Sequence, residues 1–182
     1  MLIRHADPGR DGATCAEIYA PFVRDSAVSF EEETPRADEM AKRIERTSLT
    51  HPWLVAEADG RVVGFAYGTR HRERAAYRWA ADVTVYVSGE HRRRGIGAAL
   101  YGELLALLAR QGFHVACAGI TLPNEASVAL HEKCGFSLVG VYRRIGWKLA
   151  DWHDVGWWQM ELVPAGEQPP REPGPPVRPD EA

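Results

Sequence analysis

Alternation of apolar and polar residues divides the chain into short strands and helices. Residues 82–87 alternate valine with Thr84 and Tyr86, and this period of two is typical of a β-strand. From Ile96 to Leu108 apolar residues recur at helical spacing, which predicts an amphipathic helix. The same reasoning predicts further strands at 2–6, 53–57, 62–67, 115–122, 136–149 and 155–162, and helices at 11–26, 35–47 and 123–131.

Turn-forming residues separate these elements. Asp59-Gly60 lies between two apolar runs and predicts a tight β-hairpin. Asp7-Pro8-Gly9 predicts a turn after the first strand. Pro21 lies inside the first predicted helix, where it is expected to kink the helix or end it early.

The composition changes at residue 164. Seven of the chain's twelve prolines lie in the last nineteen residues. We therefore expect residues 1–163 to form one domain, which is long enough to bury a substantial core. Residues 164–182 are expected to form a disordered, Pro-rich tail, and a polyproline ligand for another protein is the less favoured alternative.

Charge and cysteine content exclude several classes of protein. The 182-residue chain has a formal net charge of −3, which argues against nucleic-acid binding. Cys15, Cys117 and Cys134 are unclustered, so neither a disulfide framework nor a zinc site is expected. No apolar run approaches the ~18 residues of a membrane span, and the charged start does not match a signal peptide. These features predict a cytoplasmic protein with no metal, nucleic-acid or membrane partner.

A basic turn with two glycines joins the valine-rich strand to the following helix. Residues 92–97 are Arg-Arg-Arg-Gly-Ile-Gly. Backbone N–H groups at a helix start have no intrahelical acceptor, so such a turn can bind an anion. Gly95 and Gly97 would let a phosphate approach the backbone, and the arginines add charged donors. A tight turn with solvated arginines is an equally weighted alternative, and the spacing matches neither the Walker loop nor the dinucleotide fingerprint.

This turn, following a valine-rich strand, resembles the acetyl-CoA pyrophosphate loop of the GCN5-related N-acetyltransferase (GNAT) superfamily. Residues 122–136 resemble the second acetyl-CoA motif of that superfamily, with Asn124 and His131 two turns apart on one helical face. Further strings at 28–32, 52–57, 76–79 and 152–159 are similar to the phosphinothricin N-acetyltransferase family. The resemblance extends from residue 1 to about residue 163.

The resemblance implies an α/β (α+β) fold of the GNAT type, a mixed central sheet of about seven strands flanked by about four helices and splayed between the fourth and fifth strands. It also implies an N-acetyltransferase that moves acetyl from acetyl-CoA, its cosubstrate, to the amino group of a small amino-acid analogue such as phosphinothricin, as in detoxification or herbicide resistance. Methionine sulfoximine, methionine sulfone or another amine, such as a protein N-terminus, are alternative substrates. A non-catalytic acetyl-CoA-binding module is the alternative from another class.

Two side chains are the catalytic candidates that the resemblance implies. Asp82 lies where the family commonly has a glutamate base for the substrate amine. Its side chain is one methylene shorter, by roughly 1.5 Å, so proton transfer through a water is the favoured interpretation. His131 matches a family histidine that either protonates the leaving thiolate or shares the base function with Asp82, and both roles stay open.

The resemblance also implies where the cosubstrate binds. The backbone of Val85, Tyr86 and Val87 is expected to pair with the pantetheine arm. An N–H near Tyr86 or Val87 is expected to bind the thioester oxygen as negative charge develops there. The remaining expected acetyl-CoA contacts are Arg92, Arg93, Arg94, Gly95, Ile96, Gly97, Ala98 and Asn124.

Four residues are implied for the substrate. Arg72, Arg74 and Tyr77 match family residues that bind the acidic groups of the amino acid, a task that suits fork-shaped guanidinium donors. A solvated basic loop is the alternative for this segment. Phe30 is expected to wall the amino-acid side of the pocket.

The family's substrate site lies near a homodimer contact, so the resemblance implies a homodimer. The last strands carry Trp152, Trp157 and Trp158. These tryptophans are expected either at the dimer interface or in the core, with equal weight.

Overall fold

The computed structural model describes residues 1–164, 166 and 170–176. These residues form seven strands and four helices, as expected. The strands are β1 Leu2–His5, β2 Trp53–Ala58, β3 Arg61–Arg70, β4 Ala80–Val87, β5 Val115–Leu122, β6 Ser137–Lys148 and β7 Asp151–Glu161. The helices are α1 Pro8–Arg24, α2 Ala37–Ser48, α3 Ile96–Gln111 and α4 Glu125–Lys133, with short 3₁₀ turns at Ala75–Tyr77 and Gly89–His91.

All seven strands belong to one mixed sheet, in the order β1-β2-β3-β4-β5-β7-β6. Neighbouring strands are antiparallel except β4 and β5, which are parallel. These two strands pair only where Ala80 to Asp82 face Val115 to Cys117, and they diverge beyond Asp82. The predicted splay between the fourth and fifth strands is therefore confirmed, and it leaves inner backbone edges without a neighbouring strand.

The sheet separates two hydrophobic cores. On one face, α3 buries Leu100, Leu104 and Leu107 completely against β2, β3 and β4. On the other face, α1 and α2 pack Cys15, Ile44 and their neighbours against β2 and β3. Each fully buried leucine or isoleucine contributes about 1.5–3 kcal/mol of transfer free energy. The cores hold the sheet rigid on both sides of the splay, so the geometry there is well defined.

The first helix differs from the prediction at both ends. The predicted turn at residues 7–9 is wrong, because Asp7 caps α1 by accepting a hydrogen bond from the Arg10 N–H at 2.8 Å. Pro8 then occupies the first turn, where its missing N–H costs nothing. The predicted early end at Pro21 is also wrong: the carbonyl of Pro21 still accepts from the Asp25 N–H at 2.9 Å, and the helix continues to Arg24.

The part of the tail that the structure describes lies against the end of α3. The Trp79 indole N–H donates to the Arg171 carbonyl at 2.9 Å. The Gly174 N–H donates to the Gln111 carbonyl at 2.8 Å, and the Gln111 amide donates back to the Gly174 carbonyl at 2.7 Å. Residues 165, 167–169 and 177–182 lie outside the described residues, so the expected disorder of the tail stays a prediction there.

Among the described residues, no helix combines the length and the apolar character needed to cross a membrane.

Candidate active site at the splay of the sheet

A slot of about 90 Å³ runs between the diverging strands β4 and β5. Val28, Thr84 and Tyr86 reach it from the α1 face of the sheet, and Tyr101 and His131 reach it from the α3 face. Its remaining lining residues are Val83, Val85, Gly119, Ile120, Thr121, Asn124 and Ser127. The structure thus brings the predicted β4 backbone, Asn124 and His131 together around one narrow passage through the sheet.

The basic turn has the geometry of an anion site. Gly95 adopts φ +79°, and nothing lies within 4 Å of the place where a Cβ would stand. The first backbone bond of α3 runs from the Ala99 N–H to the Gly95 carbonyl at 3.0 Å. The preceding N–H groups therefore have no intrahelical acceptor, as at any helix start. Arg93 and Arg94 are exposed, and Arg92 lies over the Phe22 ring at 5.5 Å, so this turn fits a diphosphate.

Gly97 also has a packing role that the sequence did not suggest. A Cβ at this position would lie 3.0 Å from Cδ2 of Leu130 on α4. The small residue therefore allows α4 to pack closely against the start of α3. The expected approach of a phosphate at Gly97 stays a prediction.

Asn124 and His131 are both tied into α4. The Asn124 side chain caps the helix by accepting from the Ser127 N–H at 3.2 Å. His131 is 4% exposed, and its Nδ1 lies 2.7 Å from the Ser127 carbonyl. Because a carbonyl can only accept, Nδ1 carries the proton and Nε2 accepts from the Tyr101 hydroxyl at 2.9 Å. Burial lowers the pKa of His131, so the imidazole is held neutral.

The side chain of Tyr86 is partly buried on the α1 face. Its ring lies 4.8 Å from the Tyr19 ring and 4.9 Å from the Phe22 ring. Burial raises the pKa of Tyr86 well above its ordinary value, so the phenol stays protonated. The expected pairing of the backbone of residues 85–87 with the pantetheine arm stays a prediction.

Asp82 lies on the α1 face at the point of divergence, and a histidine that the sequence did not single out contacts it. His71 follows β3, and its Nδ1 lies 2.6 Å from Oδ1 of Asp82. Burial raises the pKa of Asp82, while the hydrogen bond from His71 acts in the opposite direction. The antiparallel pairing of Thr69 with Asp82 brings these side chains together. A lone histidine in a basic segment carries no local signal of such a contact.

Cys117 completes this cluster from β5. The donor atoms of His71, Asp82 and Cys117 all lie within 4.8 Å of one another. Burial raises the pKa of Cys117 to about 11, with a smaller contribution from Asp82, so its thiol is protonated near neutral pH. Metal ions bind the thiolate. The cluster is therefore a hydrogen-bonded His–Asp pair beside a neutral thiol.

The predicted substrate residues lie around this pair to different degrees. The Arg72 guanidinium lies over the Trp157 ring at 5.5 Å, and its Nη1 donates to the His71 carbonyl at 2.9 Å. Tyr77 meets the His71 ring edge-on at 5.9 Å. Arg74 is exposed in the same segment. The structure thus brings Arg72 and Tyr77 to the His–Asp pair and leaves Arg74 at the surface beside them.

Phe30 lies against the last strands. A Cβ on Gly146 would meet the Phe30 ring at 2.1 Å, so the ring packs directly over that glycine on β6. Its ring centre lies 6.2 Å from that of His153 on β7. The residue of this segment that lines the slot is Val28.

The tryptophans of β7 occupy different environments. Trp158 is 4% exposed and belongs to the core on the α3 face. Trp157 lies between Arg72 and His71, whose ring centre is 6.0 Å away. Trp152 is 53% exposed at the surface. The sequence could not separate these cases, because facing alternates along a strand and the last strand begins earlier than predicted, at Asp151.

A second cavity, of about 430 Å³, opens on the same face as Asp82. It lies between α2 and the sheet and is lined by Tyr67 and Thr69 of β3. Arg43 and Arg46 of α2 border it, and Arg43 is held by two hydrogen bonds to Glu31, at 2.7 and 2.9 Å. Thr69, which lines the cavity, is the cross-strand partner of Asp82, whose side chain does not line it. Local sequence patterns do not indicate this cavity, because residues of α1, α2, β2, β3 and β4 form its walls.

The chain is similar in sequence to proteins of a known family. Residues 15–136 match the acetyltransferase (GNAT) family. The chain is similar to a phosphinothricin N-acetyltransferase of Streptomyces viridochromogenes, with 42% identity over 170 residues that cover 93% of this chain and 89% of that protein. It is also similar to an L-methionine sulfoximine/L-methionine sulfone acetyltransferase of Salmonella typhimurium, with 34% identity and coverage of 89% and 95%.

Among solved structures, a GNAT superfamily phosphinothricin acetyltransferase from Sinorhizobium meliloti, in complex with AcCoA, superposes with a TM-score of 0.89. The two chains are 34% identical, and the match covers 94% of this chain and 93% of that one.

Proposed function

The chain belongs to the acetyltransferase (GNAT) family, and on that premise we propose that it acetylates the amino group of phosphinothricin. It is an acetyl-CoA-dependent N-acetyltransferase for small amino-acid-like amines. The observation that carries the substrate assignment is the 42% identity to a phosphinothricin N-acetyltransferase across 93% of the chain. Methionine sulfoximine and methionine sulfone are the second candidates, because a relative of 34% identity is named for them.

Acetyl-CoA supplies the acyl thioester, and this chain's own groups hold it. We assign its diphosphate to the open N–H groups at the start of α3 and to the arginines of the basic turn, residues 92–98. Its pantetheine arm pairs with the free inner edge of β4 at residues 85–87 and reaches Asn124 at the start of α4. An N–H of that edge binds the thioester oxygen as it gains negative charge.

The two catalytic candidates act on opposite faces of the sheet. Asp82 lies on the face with the larger cavity and with Arg72, so we assign the removal of the amine proton to Asp82 together with the His71 side chain that it contacts. His131 lies on the α3 face, where the Tyr101 hydroxyl that it holds can turn toward the leaving sulfur. Because the neutral imidazole uses both nitrogens within the protein, this assignment gives His131 an indirect role through Tyr101.

The substrate's acidic groups are assigned to Arg72 and Arg74, with Tyr77 beside them. A phosphinate and a carboxylate each accept two hydrogen bonds in a plane, and a guanidinium donates in that geometry. Phe30 and Val28 close the pocket on the side of β6. Arg72 is already oriented by the Trp157 ring, so less conformational freedom is lost when the substrate binds.

We further propose that the protein is a homodimer that contacts its partner through β6 and β7. The surface of these strands carries an unusual number of exposed apolar side chains, which in a monomer would mark an interaction site. They are Leu138, Val139, Val141, Tyr142, Ile145, Trp147, Leu149 and Trp152. Light scattering of the purified protein is expected to give twice the chain mass.

The direct test is a thiol-release assay with acetyl-CoA and a panel of amines. Phosphinothricin is expected to give the highest kcat/KM, above methionine sulfoximine, methionine sulfone and a peptide with a free N-terminus. Mass spectrometry should find one added acetyl group on the product. Binding of acetyl-CoA without thiol release for any amine would contradict the proposal. Within the cytoplasm this reaction would detoxify phosphinothricin, so expression in a sensitive host should confer herbicide resistance.

A further inference from the structure

We propose that His71 is the group that takes the proton from the substrate amine, and that Asp82 acts by holding His71. This proposal rests on the proposed function, because it names a further catalytic residue for the same acetyl transfer. It starts from the contact between His71 Nδ1 and Asp82 Oδ1 at 2.6 Å, on the face of the sheet that carries the larger cavity.

The contact determines which nitrogen of His71 is basic. With Asp82 ionised, Nδ1 carries the proton and donates it to the carboxylate. The lone pair of the neutral ring is then on Nε2, which points away from Asp82. Within the described ranges, 1–164, 166 and 170–176, Nε2 makes no hydrogen bond and is not among the buried unpaired atoms. A substrate ammonium can therefore reach it.

The imidazole of His71 is better placed to reach the substrate amine than the carboxylate of Asp82. Asp82 forms the last pairing of β4 with β5, opposite Cys117, and its Oδ1 is occupied by His71. The histidine extends the basic group outward from that point by the width of its ring. This removes the need for a water between a short carboxylate and the amine.

The neighbours of His71 hold its ring and balance its charge. Trp157 of β7 and Tyr77 meet the ring edge-on, with centres 6.0 and 5.9 Å away. The titratable and charged groups that face it are Asp82 of β4, Cys117 of β5, and Arg72 and Tyr77 of its own segment. Asp82 stabilises the imidazolium that forms, and the positive charge of Arg72 opposes it. The same Arg72 is free to meet the acidic group of a substrate.

The proton and electron balance of the step is complete without any further reagent. The substrate ammonium gives one proton to Nε2 of His71, and its nitrogen lone pair then forms the bond to the thioester carbonyl carbon. The C–S bond breaks with its electron pair on sulfur. The second proton of the nitrogen passes to that thiolate, the third stays on the amide, and His71 releases its proton to solvent.

The test compares His71→Asn with the wild-type enzyme and with His114→Asn, a half-buried histidine before β5. Asparagine keeps an N–H donor for Asp82 and removes the basic nitrogen. The expected result is a kcat lower by about 10²–10⁴-fold, the usual range for a general base. The KM for the amino acid, the Kd for acetyl-CoA and the thermal midpoint should be unchanged, and His114→Asn should retain wild-type kcat.

Added imidazole separates a base from a purely structural side chain. In His71→Ala the cavity admits free imidazole, which is expected to restore part of kcat in proportion to its concentration. Wild-type kcat in His71→Asn, or no rescue of a folded His71→Ala that binds acetyl-CoA, would overturn the proposal. Failure of the proposed function looks different, because the wild-type protein itself would then acetylate none of the amines.

Discussion

The two faces of the splayed sheet each carry a histidine, and the protein holds the two side chains in different ways. His131, on the α3 face, is 4% exposed, and both of its ring nitrogens are hydrogen-bonded, to Ser127 and Tyr101. His71, on the α1 face, has one nitrogen on Asp82, and its side chain is 16% exposed. The first histidine is part of the wall of the slot, and the second presents a nitrogen to solvent.

We infer from this difference that one face of the sheet binds the cosubstrate and the other carries out proton transfer. The α3 face supplies the helix start and the α4 cap, to which we assign cosubstrate binding, and a buried neutral histidine. The α1 face supplies the ionisable pair, the arginine over Trp157 and the larger cavity. We therefore expect changes on the α1 face to lower kcat, and changes on the α3 face to alter stability and acetyl-CoA affinity.

The largest effect is expected for Asp82→Asn. Without the carboxylate, neither Asp82 nor His71 is an effective base, so kcat should fall by about 10²–10⁴-fold. Steady-state thiol release measures kcat, and calorimetric titration measures the affinity for acetyl-CoA. Glu103→Gln, a change to a partly exposed carboxylate on α3, is the matched control. A loss of acetyl-CoA affinity equal to the loss of kcat would break the division between the faces.

The next largest effect is a loss of folding stability at acid pH, which comes from a buried histidine on the α3 side. His51 stacks on Phe113 at 5.0 Å, and burial lowers its pKa from 6.5 to about 4. Its folded pKa is below the unfolded value, so its stabilising contribution is complete above pH 6.5 and is lost as the pH falls toward 4. His51→Phe should reduce the acid loss of unfolding free energy by up to about 3 kcal/mol. Urea titrations at several pH values measure this, and parallel wild-type and variant curves would contradict it.

His131→Gln should have a smaller effect on the rate than Asp82→Asn. The change disturbs the hydrogen bond that orients the Tyr101 hydroxyl. We expect kcat to fall by about tenfold, the rate equivalent of one hydrogen bond of roughly 1.4 kcal/mol. The thermal midpoint should fall as well, because buried partners lose their bonds. A loss as large as that of Asp82→Asn, with no change in the midpoint, would instead make His131 the base.

The smallest effect is expected for a pair of glycine substitutions on α3. Gly95→Ala places a side chain at φ +79°, which costs about 1–2 kcal/mol of stability, and it should raise the Kd for acetyl-CoA. Gly102→Ala lies in the helix, where a Cβ meets nothing within 4 Å, so it should add about 1 kcal/mol. Chemical denaturation and calorimetry distinguish the two. A weakened cosubstrate affinity in Gly102→Ala alone would contradict the assignment of the helix start.

Much of the fold was predictable because its signals are local. β5 was predicted at residues 115–122 and is observed there. The Asp59-Gly60 turn has positive φ at both residues, as the hairpin signal requires. Errors occurred where a local signal has two meanings. Asp-Pro-Gly can form a turn or start a helix. A proline such as Pro21 ends a helix only where the structure cannot accommodate the missing N–H donor and the ring.

Only those parts of the candidate site that belong to a sequence motif were predictable. The basic turn belongs to one recognisable string, and Asn124 and His131 belong to another and meet at the splay. His71, Tyr101 and the cavity beside α2 have no such string. Their roles depend on which residues of other elements lie opposite them. The hydrophobic periodicity, the charge and the composition of the sequence do not indicate these neighbours.

By itself, the sequence determined the order of strands and helices, the basic turn and the resemblance to an acetyltransferase, because each depends on residues close together along the chain. Only the tertiary structure decided which histidine is accessible. The pairing of β3 with β4 sets His71 against Asp82, and the packing of α3 on α4 encloses His131. Both are contacts between distant segments, and proton transfer depends on such contacts because it requires hydrogen-bond distance.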